Sequence, residues 1–153
     1  MKRIVLTLLL AVALPALADR LPLPADTPAS YAAECGSCHL AYPPALLSAG
    51  DWRRVMASLA DHFGSDAAVD ARNRQEITTF LERHAGNAVK LGSAGDPPRI
   101  SATARFVRKH REVPTKLWHD PRVKSAANCE ACHRGAADGN YSEHDIAIRE
   151  LKR

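Results

Sequence analysis

Methionine is almost missing from this sequence: 153 residues contain two, Met1 and Met56. Aromatic side chains make up only 5% of the chain and are not interleaved with basic clusters, which excludes the stacking platforms of a nucleic-acid binder. No segment beyond residue 17 is continuously apolar, so the body of the chain lacks the roughly 20 residues that a membrane-spanning helix needs. Convincing strand-period alternation is also missing, as are sequence repeats beyond one short motif. With aromatics scarce and Pro and Gly frequent, side-chain burial alone promises a thin core, and something else has to supplement it.

The first residues read as a leader. Lys2 and Arg3 form a charged start, Ile4 to Leu17 an apolar run too short to span a bilayer, and Ala16-Leu17-Ala18 a small-residue cleavage site. The expectation is a signal peptide over residues 1–18, a mature chain beginning near Asp19, and export to the periplasm. The rival, an uncleaved amphipathic anchor, is disfavoured by the Ala-x-Ala site. Of the formal net charge of +4, two units leave with Lys2 and Arg3. The rest is uneven: residues 19–90 hold seven Lys or Arg against nine Asp or Glu, and residues 91–153 hold twelve against eight. That asymmetry suits docking to an acidic partner and is too mild for nucleic acid.

All four cysteines fall in two copies of one pattern, Cys35-Gly36-Ser37-Cys38-His39 and Cys129-Glu130-Ala131-Cys132-His133, and none is left over. Composition alone gives about 0.005 chance occurrences of Cys-x-x-Cys-His in such a chain, so two copies are a strong signal. Residues at i, i+3 and i+4 project from one face of a helical turn, where both sulfurs and the imidazole converge. Two thiols can then add to the two vinyl groups of a porphyrin as thioethers while the histidine reaches the iron from the same side. Cys35, Cys38, Cys129 and Cys132 are therefore expected to attach two haems covalently, and the porphyrins supply the missing core. A thioredoxin-like disulfide expects a βαβ context and no histidine after each pair. A zinc site built from both pairs expects them some 15 to 20 residues apart, not at opposite ends of the chain.

The punctuation predicts a mainly α fold. A helix starts at Asp26 or Thr27 before Pro28 and runs through Cys35 to His39, with Pro43-Pro44 beyond it. Gly50-Asp51 caps a second helix whose stripe is Trp52, Val55, Met56, Leu59 and Phe63, ending at Gly64. A third spans about Val69 to His84, with Ile77, Phe80 and Leu81 on one side. Residues 87–99 read as a linker. Beyond it, Ser101 caps a short helix through His110, Pro114 and Pro121 break the next stretch, and Ser125 caps the helix bearing the second motif. The division expected is an N-terminal haem domain over 19–90 and a C-terminal haem domain over 91–153.

His39 and His133 supply one axial ligand each. Met56 alone cannot serve both irons, and its place on an apolar stripe suits an ordinary core role. Five histidines remain. His62 flanks the stripe of the second helix at its end, and His110 shares a helical face with Phe106 and Val107. His119, beside Trp118 and ahead of Asp120-Pro121, competes for the second iron, while His84 and His144 rank lower.

The stretches CGSCHLAYPPALLSAGDWRRVMASLADHFGSDAAVD and RISATARFVRKHREVPTKLWHDPRVKSAANCEACHRGA, with two CxxCH sites at this spacing, resemble the small dihaem cytochromes c of proteobacteria, the DHC family, over nearly the whole mature chain. The resemblance implies bis-histidine haems, an N-terminal unit like a class I cytochrome c, and a small second unit with little regular secondary structure. Carried onto this sequence, the histidine of LADHFG is His62 and that of VRKHREVP is His110, with His119 of WHDP nearby. It further implies two partners: a high-spin c-type cytochrome downstream and a membrane cytochrome b upstream. Two imidazoles per iron leave no open coordination position, so the expected function is electron relay rather than catalysis. The basic run Arg105, Arg108, Lys109, Arg111, Lys116, Arg122 and Lys124 suits either an acidic partner or a solvated face that offsets haem propionates. The rivals are a dihaem redox enzyme and a gas or redox sensor, each of which needs one open or exchangeable iron.

Overall fold

The computed structural model describes residues 19–148, so the expected leader at residues 1–18 lies outside the described residues. Within them the regular structure is helical, and the only β pairing consists of isolated bridges. No described helix is long and apolar enough to cross a membrane.

Helix α1 covers Ala29–Cys35, after Pro28, and stops four residues short of His39. The expected run through His39 fails at Gly36, which is packed directly on the carbonyl of Ala32, so the motif leaves the helix as a turn. Helix α2, Ala49–Ala57, is capped by Ser48 rather than Gly50-Asp51. The Ser48 hydroxyl accepts the Asp51 N–H at 3.2 Å and donates to the Asp51 carboxylate at 2.6 Å, a reciprocal cap. The helix ends at Ala57, short of Gly64, because the Ser58 hydroxyl bonds back to the Arg54 and Val55 carbonyls, and residues Leu59–Asp61 tighten into a 3₁₀ turn. Trp52, Val55 and Met56 are buried as the stripe requires. Phe63 is not: it lies past the helix at φ 56°, 41% exposed.

Helix α3, Ala71–Arg83, is capped by Asp70, whose carboxylate accepts the N–H groups of Arg72 and Asn73, both at 2.9 Å. Its Ile77, Phe80 and Leu81 pack with Tyr31 of α1 and with Trp52, Val55 and Met56 of α2 into the main core, and the Trp52 indole N–H donates to the Pro44 carbonyl at 2.7 Å. The stretch expected as linker contains helix α4, Ala88–Leu91, capped by Asn87, and its Ala94 is buried in that same core.

Helix α5, Ala104–Lys109, is capped by Thr103 and not by Ser101: the buried Thr103 hydroxyl accepts the Phe106 N–H at 3.1 Å. Helix α6, Thr115–Trp118, follows Pro114. The second motif rides on a 3₁₀ turn, Cys129–Ala131, with no side-chain cap, and Ser125 instead closes a turn with the Ala127 N–H. This end of the chain has a thin core of Leu117, Val123 and Ile148, flanked by partly buried neighbours. The N-terminal segment is tied to it: Leu21 N–H donates to the Gly139 carbonyl at 2.7 Å, and Tyr141 N–H to that of Asp19 at 2.9 Å. Gly139, at φ 70°, lies so close to the backbone of Leu21 and Pro22 that no side chain fits there.

Candidate functional site

Each motif histidine faces a second imidazole supplied from elsewhere in the chain. The ring centroids of His39 and His62 are 6.3 Å apart with planes at 29°, and those of His110 and His133 are 6.1 Å apart with planes at 89°. A metal sits about 2 Å from an imidazole nitrogen, and the ring centre lies about 1 Å further on, so two imidazoles flanking one metal have centroids about 6 Å apart. Among the described residues, no group of three or more His, Cys, Asp or Glu side chains is arranged to hold a metal ion. A porphyrin, which brings four ligands of its own, suits a metal between either ring pair.

Backbone carbonyls fix the rings. His39 donates from Nδ1 to the Leu40 carbonyl at 2.8 Å, and His110 from Nδ1 to the Phe106 carbonyl at 2.9 Å, which leaves Nε2 of each free as a ligand. His62 sits on a turn closed by its N–H to the Ser65 carbonyl at 2.7 Å and by the Gly64 N–H to the Asp61 carboxylate at 3.1 Å. Arg99 lies over the neighbouring Phe63 ring at 3.9 Å. Burial holds His62, His110 and His133 below the usual imidazole range. The facing histidine adds to this for His62 and His133, and the Phe106 carbonyl opposes it for His110. All three are thereby kept in the neutral form that donates a lone pair. The thiols go the opposite way: burial pushes Cys35 and Cys129 up to about 11 and raises Cys132, unlike the depressed thiolate of a disulfide oxidoreductase.

The second motif lines a cavity of ≈ 620 Å³. Cys129, Cys132, His133, His110, Phe106 and Trp118 line it, together with the charged Asp19, Arg105, Lys109, Glu112 and Glu143. Phe106 stacks on His110 at 3.9 Å and 19°, and Trp118 completes the nest at 5.8 Å from the same ring. Two buried polar atoms here lack hydrogen-bond partners, Nδ1 of His133 and the hydroxyl of Tyr141, whose ring lies edge-on to His133 at 5.6 Å. The Ser142 backbone pulls the His133 titration upward without closing a bond of normal geometry. A cavity of this volume that gathers two thiols, two facing imidazoles and two aromatic rings, with orphaned polar atoms at its edge, fits a haem. The first set is more open: Cys38 and His39 are exposed, Cys35 and His62 half-buried.

The remaining candidates lie apart. His119 is exposed at the end of α6, and its ring does not meet His133. His84 is held by Asp26 at 2.9 Å, and His144 is exposed at the cavity rim. Met56 is a buried core residue. Val107 points outward, 58% exposed, instead of sharing the face of His110. Sequence reasoning passed over Tyr42, which stacks on His39 at 4.8 Å and 23°, and Tyr141. Their signal was scarcity: the chain has three tyrosines, and each packs in the main core or on a motif histidine.

A family model described as dihaem cytochrome c matches residues 31–141. A diheme cytochrome type c from Shewanella baltica OS155 is 38% identical, with 82% of this chain and 95% of that one covered at a TM-score of 0.70. A diheme cytochrome c from Rhodobacter sphaeroides is 37% identical, with 75% and 97% covered at a TM-score of 0.67. Comparison with curated proteins found no match. The chain belongs to the dihaem cytochrome c family, and its two CxxCH motifs fit that family's two covalently bound haem c groups.

Proposed function

We propose that the protein is a periplasmic electron carrier in which each haem iron is closed by two histidines, His39 with His62 and His133 with His110. Cys35 and Cys38 tether the first haem, Cys129 and Cys132 the second. The observation that carries this reading is the separation of the two imidazole pairs, 6.3 and 6.1 Å, which leaves room for one metal atom and no substrate. When bound, each haem supplies a one-electron ferric/ferrous couple. The protein's part is to orient His39 and His110 through the Leu40 and Phe106 carbonyls, to keep His62, His110 and His133 neutral by burial, and to shield the second site with Phe106 and Trp118. Bis-histidine ligation sets lower potentials than His/Met ligation.

The partners are, by family resemblance, a membrane cytochrome b as donor and a high-spin c-type cytochrome as acceptor. Part of the basic run is already neutralised: Lys109 pairs with Asp19 at 2.9 Å, Arg111 with Glu112 at 3.6 Å and Arg122 with Asp120 at 2.7 Å. The exposed Arg108, Lys116 and Lys124 remain to steer an acidic partner, and added salt slows an encounter of that kind.

Carbon monoxide separates this reading from a dihaem enzyme or sensor with an open iron. Added to the fully reduced holoprotein at neutral pH, it leaves the Soret band of a bis-histidine carrier in place. A shift involving half of the haem identifies one exchangeable iron and favours the alternative.

A further inference from the structure

Tyr42 touches both haem sites. Its ring stacks on the His39 imidazole, centroids 4.8 Å apart and planes at 23°. Its hydroxyl crosses 85 residues of sequence to donate to the Ala127 carbonyl at 2.5 Å. That same carbonyl accepts the backbone N–H of Cys129 at 3.0 Å. The backbone of Tyr42 is held as well, since the Tyr31 hydroxyl donates to the Tyr42 carbonyl at 2.5 Å.

These contacts line up as one continuous path: His39 ring, Tyr42 ring, Tyr42 hydroxyl, Ala127 carbonyl, Cys129 amide, and the side chain of Cys129. One end is an axial histidine and the other an attachment cysteine of the opposite haem. Electronic coupling falls off less steeply through covalent and hydrogen bonds than across van der Waals gaps, so a path with a single stacking step and two hydrogen bonds is suited to carry an electron between the two sites. We propose that Tyr42 is the positioning residue that couples the two haems, holding the His39 imidazole and closing the hydrogen-bonded route along which they exchange electrons. One electron leaves a ferrous iron and arrives at a ferric one, so the two irons swap oxidation states. No proton moves, and Tyr42 keeps its hydroxyl hydrogen throughout. Burial, which raises the phenol to about 12, agrees with that passive role.

The inference rests on the reading of the chain as a two-haem carrier, and one experiment addresses both. Pulse radiolysis of the oxidised holoprotein, delivering less than one electron per molecule from a radical reductant, is followed by transient absorption. Exchange between haems in one molecule appears as a phase whose rate does not depend on protein concentration. Tyr42→Phe keeps the ring and loses the hydroxyl. It is expected to retain two low-spin haems and an unshifted potential while the concentration-independent phase slows several-fold. Tyr42→Leu removes the ring too, and is expected to slow the phase further and to shift the potential of the His39 haem alone. A merely structural tie predicts a lower melting temperature in Tyr42→Phe with no change in that rate, and this result overturns the role of Tyr42. A wild-type protein with no such phase overturns the relay reading itself, and the inference with it.

Discussion

Replacing His110 with Ala makes one of the two haem irons high-spin and open to carbon monoxide, and leaves the other unchanged. His110 is the only imidazole whose ring stands opposite His133 among the described residues, at 6.1 Å. Its Nδ1 is already committed to the Phe106 carbonyl, so Nε2 is what it has to offer a metal. Met56 is buried in the other cluster, His119 is exposed on the far end of α6, and His144, exposed at the cavity rim, does not stack on or stand opposite His133. The expected spectrum is half high-spin, half low-spin. The substitution also removes the partner on which Phe106 and Trp118 pack, and deleting a well-packed ring of this kind costs about 3 kcal/mol. The control is His119→Ala, which is expected to keep both haems low-spin. If His119→Ala gives the half-high-spin spectrum and His110→Ala does not, the ligands are exchanged and the second iron belongs to His119.

A chain made without haem attachment is expected to lose its second half as an ordered structure. The cavity of ≈ 620 Å³ is the reason. Without haem that space fills with water, and Phe106, Val113, Trp118 and Ile146 on its lining lose the apolar surface they would pack against. The only fully buried apolar side chains of the second cluster are Leu117, Val123 and Ile148, too few to offset it. The first cluster is larger, with Tyr31, Trp52, Ile77, Phe80 and Leu81 buried across three helices and Leu47 buried just ahead of α2. Hydrogen exchange on the apo chain should therefore protect amides of α2 and α3 and leave residues 103–148 near the unfolded rate. A single cooperative melt with protection throughout would show that haem is not part of the core. The same linkage makes haem loading stabilising in the holoprotein, since it binds the folded state and not the unfolded one.

How much of this was legible in the sequence follows from the range of each interaction. The two Cys-x-x-Cys-His motifs carry their chemistry within five residues, so they can be read without any fold. The stripe of α2 is equally local as far as Met56. It misleads at Phe63, because helical periodicity continues on paper while the Ser58 hydroxyl ends the helix by bonding back to Arg54 and Val55. Caps were misplaced by two to three residues for a related reason: Ser48 and Thr103 compete with nearby glycine and serine signals that look as good in sequence. The first motif was expected to complete a helix, yet the close approach of Gly36 to the Ala32 carbonyl turns it out of α1. Contacts such as Tyr42 to Ala127, Leu21 to Gly139 and His84 to Asp26 leave no periodic trace at all, since each joins segments more than 55 residues apart. The stacking of Phe106 on His110 is legible as an i, i+4 pair, whereas Trp118 joins them only when α5 and α6 fold against each other.

The two ring pairs differ in one respect that a spectrometer can read. Parallel imidazole planes split the two iron dπ orbitals and give low-spin ferric haem a rhombic signal. Perpendicular planes leave those orbitals nearly degenerate and give a signal with one very large g value. With planes at 29° for His39 and His62 and at 89° for His110 and His133, low-temperature electron paramagnetic resonance of the oxidised holoprotein should show one signal of each kind, in equal integrated amounts and with no high-spin iron. A high-spin signal from either haem would contradict the closure of both irons by paired histidines.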